Sequence, residues 1–284
     1  MGYFLPMSLE EAVQILAEND VSIVSGGTDF YPALADEQPK GPLLDLTRVA
    51  SLKGITRTEK GWRFGAAVSW SEVARADLPA SFNGLKTAAS NVGALQIQNT
   101  GTIGGNLCNA SPAADGVPPL LTLDAEVELT SSRGSRLLPL SDFITGVRRT
   151  ALGKDEILTA VHIPAPPEEA VGSFLKLGSR SHLVISIAMV SALLWKDDAN
   201  RVAGARIAVG ACSPVAQRLP ALEAALVGQP VDLLTRFDVS KAHLAPLSPI
   251  SDMRASAEYR MESAAILCRR AFVQAASGED ALDG

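Results

Sequence analysis

Val21-Ser-Ile-Val-Ser-Gly-Gly-Thr-Asp-Phe30 runs a short apolar strand straight into a Gly-Gly pair, and Thr100-Gly-Thr-Ile-Gly-Gly-Asn106 repeats the pair about 75 residues later. Adjacent glycines let the backbone take positive φ and bring successive N–H groups to a ligand with no Cβ in the way, which suits an anion. One such pair by itself is more often a tight turn. Two of them, flanked by the Thr28 and Thr102 hydroxyls, read as amide nests that share a diphosphate. Neither matches G-x-G-x-x-G or the phosphate loop G-x-x-x-x-G-K-S/T, so a Rossmann domain and a nucleoside triphosphatase are unsupported. A diphosphate repels Asp29, which is expected to cap amides of its own loop or to reach a sugar hydroxyl.

Working outward, Ser8 with Glu11 forms a capping box ahead of Leu9, Ala12, Val13 and Leu16 at helical spacing, and this predicts a first helix. Leu43-Leu-Asp-Leu46 reads as a strand. Ile55 to Thr58 and Trp62 to Phe64 read as a hairpin around Glu59-Lys-Gly61 and open a second α/β unit. Ser69 with Glu72 repeats the capping box, and the small-residue run from Leu85 to Val92 predicts a helix leading to the second glycine pair. A further hairpin joins Glu126 to Leu129 with Leu137-Leu138, followed by a short helix near Ser141. Ile157 to Ile163 alternates as a half-buried strand does.

Pro164-Ala-Pro-Pro-Glu-Glu169 reads as a linker. Beyond it, Ser173 to Leu177, Leu183 to Trp195 and Val202 to Ala211 predict three antiparallel strands, with helical stretches after Pro214 and after Ser251. The organisation is α+β: residues 1–167 in lobes of about 1–54 and 55–167, a C-terminal domain over 168–277, and a frayed polar tail over 278–284. No period of 20–50 residues recurs, which excludes a solenoid or propeller.

The 284 residues are 47% hydrophobic and 20% charged, enough to bury a sizeable core. Lys and Arg number 25 against 31 Asp and Glu, a net charge of −6 without the basic excess of a phosphate-tracking nucleic-acid binder. The first residues show no signal peptide. The longest apolar stretch, Leu183 to Trp195, falls short of the ~20 residues that span a bilayer. Cys108, Cys212 and Cys268 stand far apart with no C-x-x-C pair, which disfavours a disulfide framework, a zinc site or an iron–sulfur cluster. Each reads as a small buried hydrophobe, and a reduced, cytoplasmic setting fits.

The two glycine segments, and above all the run Gly101-Thr-Ile-Gly-Gly-Asn-Leu-Cys-Asn-Ala-Ser-Pro-Ala-Ala-Asp115, resemble the paired FAD-binding motifs of the flavoprotein subunits of molybdenum hydroxylases. That family spans xanthine dehydrogenase, carbon monoxide dehydrogenase and the aerobic heteroaromatic dehydrogenases. Phe174-Leu-Lys-Leu177 with Arg180, and Asp252-Met-Arg-Ala-Ser256 through Tyr259-Arg260, resemble its C-terminal signatures, so the likeness covers nearly the whole chain. It implies a vanillyl-alcohol-oxidase or PCMH type of FAD domain, two α/β lobes clasping the flavin, followed by a C-terminal domain with a three-stranded antiparallel sheet and helices.

Carried over residue by residue, the resemblance places Ile23, Val24, Ser25, Gly26, Gly27, Thr28, Asp29 and Phe30, with Thr102, Ile103, Gly104, Gly105 and Asn106, along the diphosphate and ribityl of FAD. Val92, Asp115, Leu158 and Lys176 would add further contacts, Val92 and Leu158 on a ring face and Lys176 as charge near the flavin or the phosphates. Without the resemblance, Lys176 reads as a snorkelling strand residue and Asp115 as a turn or cap residue. Arg254, Tyr259 and Arg260 read as helix-surface, interdomain or partner contacts. His162, His182 and His243 fit no ligand spacing, and no nucleophile–base pattern is legible, which agrees with chemistry supplied by a flavin.

The resemblance also implies partners: a large subunit with a molybdenum cofactor and a small subunit with two 2Fe–2S clusters, in a dimer of heterotrimers. Electrons would reach FAD here and leave to NAD or another acceptor. Asn109-Ala-Ser-Pro112 looks closer to purine and N-heteroaromatic dehydrogenases than to carbon monoxide dehydrogenases. No cysteine-bearing insertion of the 4-hydroxybenzoyl-CoA reductase kind is present. A carbon monoxide dehydrogenase medium subunit and a stand-alone FAD oxidoreductase are the alternatives.

Overall fold

The computed structural model describes residues 2–180 and 183–278, so His182 and nearly all of the expected tail lie outside the described residues. The first lobe comprises β1 (Tyr3–Phe4), α1 (Leu9–Glu18), β2 (Ser22–Val24), α2 (Phe30–Leu34) and β3 (Leu43–Asp45), its strands forming a parallel sheet in the order β1-β3-β2. Ser8 Oγ accepts the Glu11 amide, as the motif requires, but the Glu11 carboxylate takes the Met7 amide at 2.8 Å. The reciprocal half of that box therefore closes one residue early. α1 buries Ala12, Val13 and Leu16 in a small core with Leu44, Leu46, Leu52 and Ile157.

The second lobe runs through β4 (Ile55–Thr58), β5 (Gly61–Gly65), α3 (Trp70–Arg75), α4 (Asn83–Ser90), α5 (Leu95–Thr100), α6 (Ile103–Asn109), α7 (Val117–Thr122), β6 (Glu126–Ser131), β7 (Gly134–Pro139), α8 (Leu140–Phe143), β8 (Ile144–Gly146), β9 (Arg149–Thr150) and β10 (Ile157–Pro164). Its main sheet, β4-β5-β10-β6-β7, is antiparallel throughout. The Ser69–Glu72 capping box closes in both directions at the start of α3. β10 is buried rather than half-buried: Leu158, Val161 and Ile163 enter one core while Ile157 enters that of α1. A central strand covered on both faces gains nothing from a polar side, so tertiary packing overrides the alternation.

The third unit comprises β11 (Val171–Leu177), β12 (Ala188–Lys196), β13 (Val202–Gly210), β14 (Gln217–Arg218), α9 (Pro220–Leu226) and α10 (Ala257–Ser277). Its antiparallel sheet has four strands in the order β11-β12-β13-β14, so the expected three are extended by a two-residue edge strand. β12 begins at Ala188 instead of Leu183, and Leu183 and Ile185 are each 53% exposed. α10 lays Ala264, Leu267, Cys268, Ala271 and Phe272 into the core over this sheet. Residues 165–170 carry neither strand nor helix.

The sheet meets the second lobe through two helices. α7 is buried along its length, with Thr122 Oγ1 3.2 Å from Ser191 Oγ of β12. At Gly84 of α4 an added Cβ would stand 2.7 Å from the Ser173 carbonyl oxygen, so glycine sets the closeness of α4 to β11. Arg260 is not a surface residue of α10: it is 3% exposed and donates to the carbonyls of Ile187 and Ala211 and to Asp252 Oδ1. Cys212 and Cys268 are buried as expected, and burial pushes the Cys212 thiol up to about 11; Cys108 is exposed, contrary to expectation. No helix among the described residues is long and apolar enough to cross a membrane.

Candidate functional site

The two glycine segments touch. Gly26 lies flat on the second segment, where an added Cβ would stand 2.0 Å from the Thr100 carbonyl oxygen. Gly27 sits at φ +67° against the Tyr31 ring, a left-handed conformation that glycine adopts without penalty. β2 positions this turn, because Val24 pairs with Asp45 of β3 immediately before it.

The second segment is not a loop of free amides. Thr102 is the N-cap of α6, its hydroxyl accepting the Gly105 amide at 3.0 Å. The Ile103, Gly104 and Asn106 amides donate to the carbonyls of Val68, Ala66 and Thr102 at 2.9, 2.9 and 3.0 Å. Every amide from Ile103 to Asn106 thus has a protein acceptor, and the expected second amide nest is corrected to a capped helix start. What its glycines contribute is a surface without Cβ atoms. An added Cβ at Gly104 would strike Ala66, whereas at Gly105 it would meet only Thr102 Oγ1, at 2.9 Å.

Between the segments opens a cleft of about 570 Å³. Ile23, Val24, Ser25, Gly26, Gly27, Thr28, Asp29, Phe30, Val92, Thr102, Gly104, Gly105, Asn106 and Leu158 all line it. Ile103 does not, being fully buried in the core of the second lobe. Asp29 is the N-cap residue of α2 without a side-chain cap bond, so of its two expected roles the capping one is not realised. Among the described residues, Ser25 Oγ and Asn106 Oδ1 at the cleft are buried with no partner. Trp70 and Ile97 also line it, though no motif in the sequence singles them out for this position, and so does Cys108, which lies within the Gly101 to Asp115 run.

Asp115 and Lys176 lie apart from the cleft lining and bind each other at 2.6 Å, with the Ser186 hydroxyl 2.6 Å from the other Asp115 oxygen. Lys176 Nζ also donates to the Asn91 carbonyl at 3.3 Å, one residue before Val92 of the cleft. Burial pushes the Asp115 carboxyl up, and the Lys176 charge and the two hydrogen bonds oppose it. His162 pairs with Glu128 at 2.9 Å, and His243 Nδ1 accepts the Ser240 amide; neither lines the cleft.

A family model described as the FAD binding domain in molybdopterin dehydrogenase matches residues 1–166, and one described as the CO dehydrogenase flavoprotein C-terminal domain matches residues 173–275. The chain belongs to the FAD-binding subunits of the molybdenum hydroxylases. Within that family it is 32% identical to a xanthine dehydrogenase FAD-binding subunit of Escherichia coli, covering 96% of this chain and 95% of the relative. It is 34% identical to the nicotinate dehydrogenase FAD-subunit of Eubacterium barkeri, over 95% and 94%. A solved Cu,Mo-CO dehydrogenase superposes with a TM-score of 0.90 at 27% identity, covering 98% of each chain.

An FAD-binding domain is therefore carried by this chain, and the cleft fits the cofactor on its own observations. Buried polar atoms are normally satisfied, and Ser25 Oγ and Asn106 Oδ1 at the cleft have no partner among the described residues, which leaves hydrogen-bonding capacity there for a polar ligand. The Cβ-free face of Gly105 opens on the same space.

Proposed function

We propose that this chain is the electron-transfer subunit of a complex that oxidatively hydroxylates a purine or N-heteroaromatic substrate. A large partner would hold the molybdenum cofactor and a small partner two 2Fe–2S clusters, in a cytoplasmic dimer of heterotrimers. The supporting observation is that residues 23–30 and most of 102–106 converge, from segments about 75 residues apart, on one cleft with orphaned polar atoms. The named activities of the xanthine and nicotinate dehydrogenase relatives support the substrate class. When bound, FAD supplies electron transfer from the clusters to NAD or another acceptor.

The chain's own residues bind and orient that cofactor. In our reading the chain divides at 167/168, and the first glycine segment with Thr102, Gly104, Gly105 and Asn106 holds the diphosphate and ribityl. Ser25 and Asn106 complete their hydrogen bonds there, and Asp29 takes a sugar hydroxyl. Val92 and Leu158 wall the ring, and the Asp115–Lys176 pair sets charge beside it. A carbon monoxide dehydrogenase medium chain is the second reading, favoured by the structural superposition. Purification from the native source decides: two copurifying partners with molybdenum, iron and flavin, and flavin bleached by a purine or N-heteroaromatic, support the first reading. Bleaching by carbon monoxide alone supports the second, and a lone flavoprotein turning over small substrates at full rate overturns both.

A further inference from the structure

Trp70 is the first residue of α3, and the sequence shows nothing there beyond an aromatic after a capping serine. It is 1% exposed and yet lines the cleft. Its amide donates to the Gly101 carbonyl at 3.1 Å, and Ser69 bridges to Thr102, so α3 and the second glycine segment are fastened backbone to backbone. The indole extends to Gly116: an added Cβ there would stand 2.3 Å from the tip of the six-membered ring and 3.1 Å from Asn106 Oδ1. Three groups meet at this spot, the ring of Trp70, the backbone of Gly116 and the orphaned oxygen of Asn106. Gly116 in turn follows Asp115, which holds Lys176.

The indole Nε1 donates to no protein acceptor among the described residues and is not one of the sealed, unpartnered atoms. A buried Trp N–H usually finds a partner. The indole edge that carries Nε1 runs between Gly101, where an added Cβ would stand 3.5 Å from Cδ1, and Gly116, where one would stand 3.0 Å from Cζ2; Trp70 and Gly101 both line the cleft. Among the other large aromatics of this core, Phe64 and Phe82 stack on each other away from that space.

We propose that Trp70 is a cofactor-binding residue of this chain: its indole N–H donates to an oxygen of the diphosphate–ribityl part of FAD, and its six-membered ring, wedged on Gly116, holds Asn106 at the correct distance. This rests on the reading that FAD occupies the cleft. It adds a donor to those of the first glycine segment and one that the second does not supply, because the amides from Ile103 to Asn106 are already committed to protein carbonyls and the Thr102 hydroxyl.

The test uses the full chain stripped of FAD and titrated with FAD, with thermal unfolding of the FAD-free chain measured in parallel. Trp70→Phe removes both the N–H and part of the ring, and is expected to weaken FAD binding by about tenfold and to lower the unfolding temperature. Gly116→Ala, which pushes the indole, is expected to do the same. In the double variant the new methyl fills the space the smaller ring vacates, so the unfolding temperature recovers while the weak FAD binding persists. Recovery of both in the double variant would reduce Trp70 to a packing residue and overturn the proposal, as would wild-type affinity in Trp70→Phe. A wild-type chain that takes up no FAD would instead overturn the reading of the cleft itself.

Discussion

The carboxylate of Asp115 and the ammonium of Lys176 meet at 2.6 Å, with side chains only 9% and 11% exposed, joining the segment before α7 to β11. Breaking such a pair by removing one partner typically costs about 3–5 kcal/mol, because the remaining group is left buried and uncompensated. Lys176→Met is expected to destabilise the chain in urea by an amount of that order, and Asp115→Asn with Lys176→Met together by less than the sum.

The same variant carries a pH signature. Burial already pushes the Asp115 carboxyl up, and Lys176→Met removes the charge that opposes it. A carboxyl raised in the folded state stabilises when protonated and loses that contribution as pH rises through its folded value. The deficit of Lys176→Met should therefore grow as pH rises from about 4, where unfolded aspartates titrate. A deficit that shrinks with rising pH would contradict the burial argument.

Gly26 and Gly105 should separate fold from cofactor. A methyl at Gly26 enters the Thr100 carbonyl, so Gly26→Ala is expected to lower the unfolding temperature even without FAD. A methyl at Gly105 meets only the Thr102 hydroxyl, at 2.9 Å, on the side of the residue that lines the cleft, so Gly105→Ala should cost the FAD-free chain no more than part of the helix cap, less than Gly26→Ala, and cost the chain most of its flavin. Flavin absorbance against protein, with the unfolding temperature, reads both.

Ser25→Ala removes a hydroxyl that has no partner among the described residues. The stability of the FAD-free chain should be unchanged or slightly higher, while FAD affinity falls by roughly threefold to tenfold, the value of one hydrogen bond. A clear loss of stability without FAD would show that the hydroxyl has a structural partner.

Asp252 accepts the Arg254 amide and the buried Arg260 guanidinium, and these hold its carboxyl well below the ordinary range. A depressed carboxylate contributes stability above its unfolded pKa, about 4, and loses it as pH falls through the folded value. Asp252→Asn should be less stable than the parent at pH 7, and the two should converge on acidification. Acid titrations followed by far-ultraviolet circular dichroism would show whether they do.

Local chemistry is written in the chain. Ser8 and Ser69 start helices, Glu59-Lys-Gly61 turns a hairpin and Gly27 takes positive φ because each depends on neighbours a few residues away. The Gly-Gly pairs and their resemblance to a known family likewise identify most of the cleft lining by residue type and order alone. Tertiary contacts decide the rest. β12 starts at Ala188 because Ser186 and Ile187 are drawn to Asp115 and Arg260, 71 and 73 residues away. The Ile103 and Gly104 amides of the second glycine segment are spent on Val68 and Ala66, which no spacing rule connects to it, and the Trp70 ring packs where Gly116 leaves room for it. What each short segment prefers follows from its own residues; which buried groups find partners, and which are left for a cofactor, depends on segments that meet only when the chain is folded.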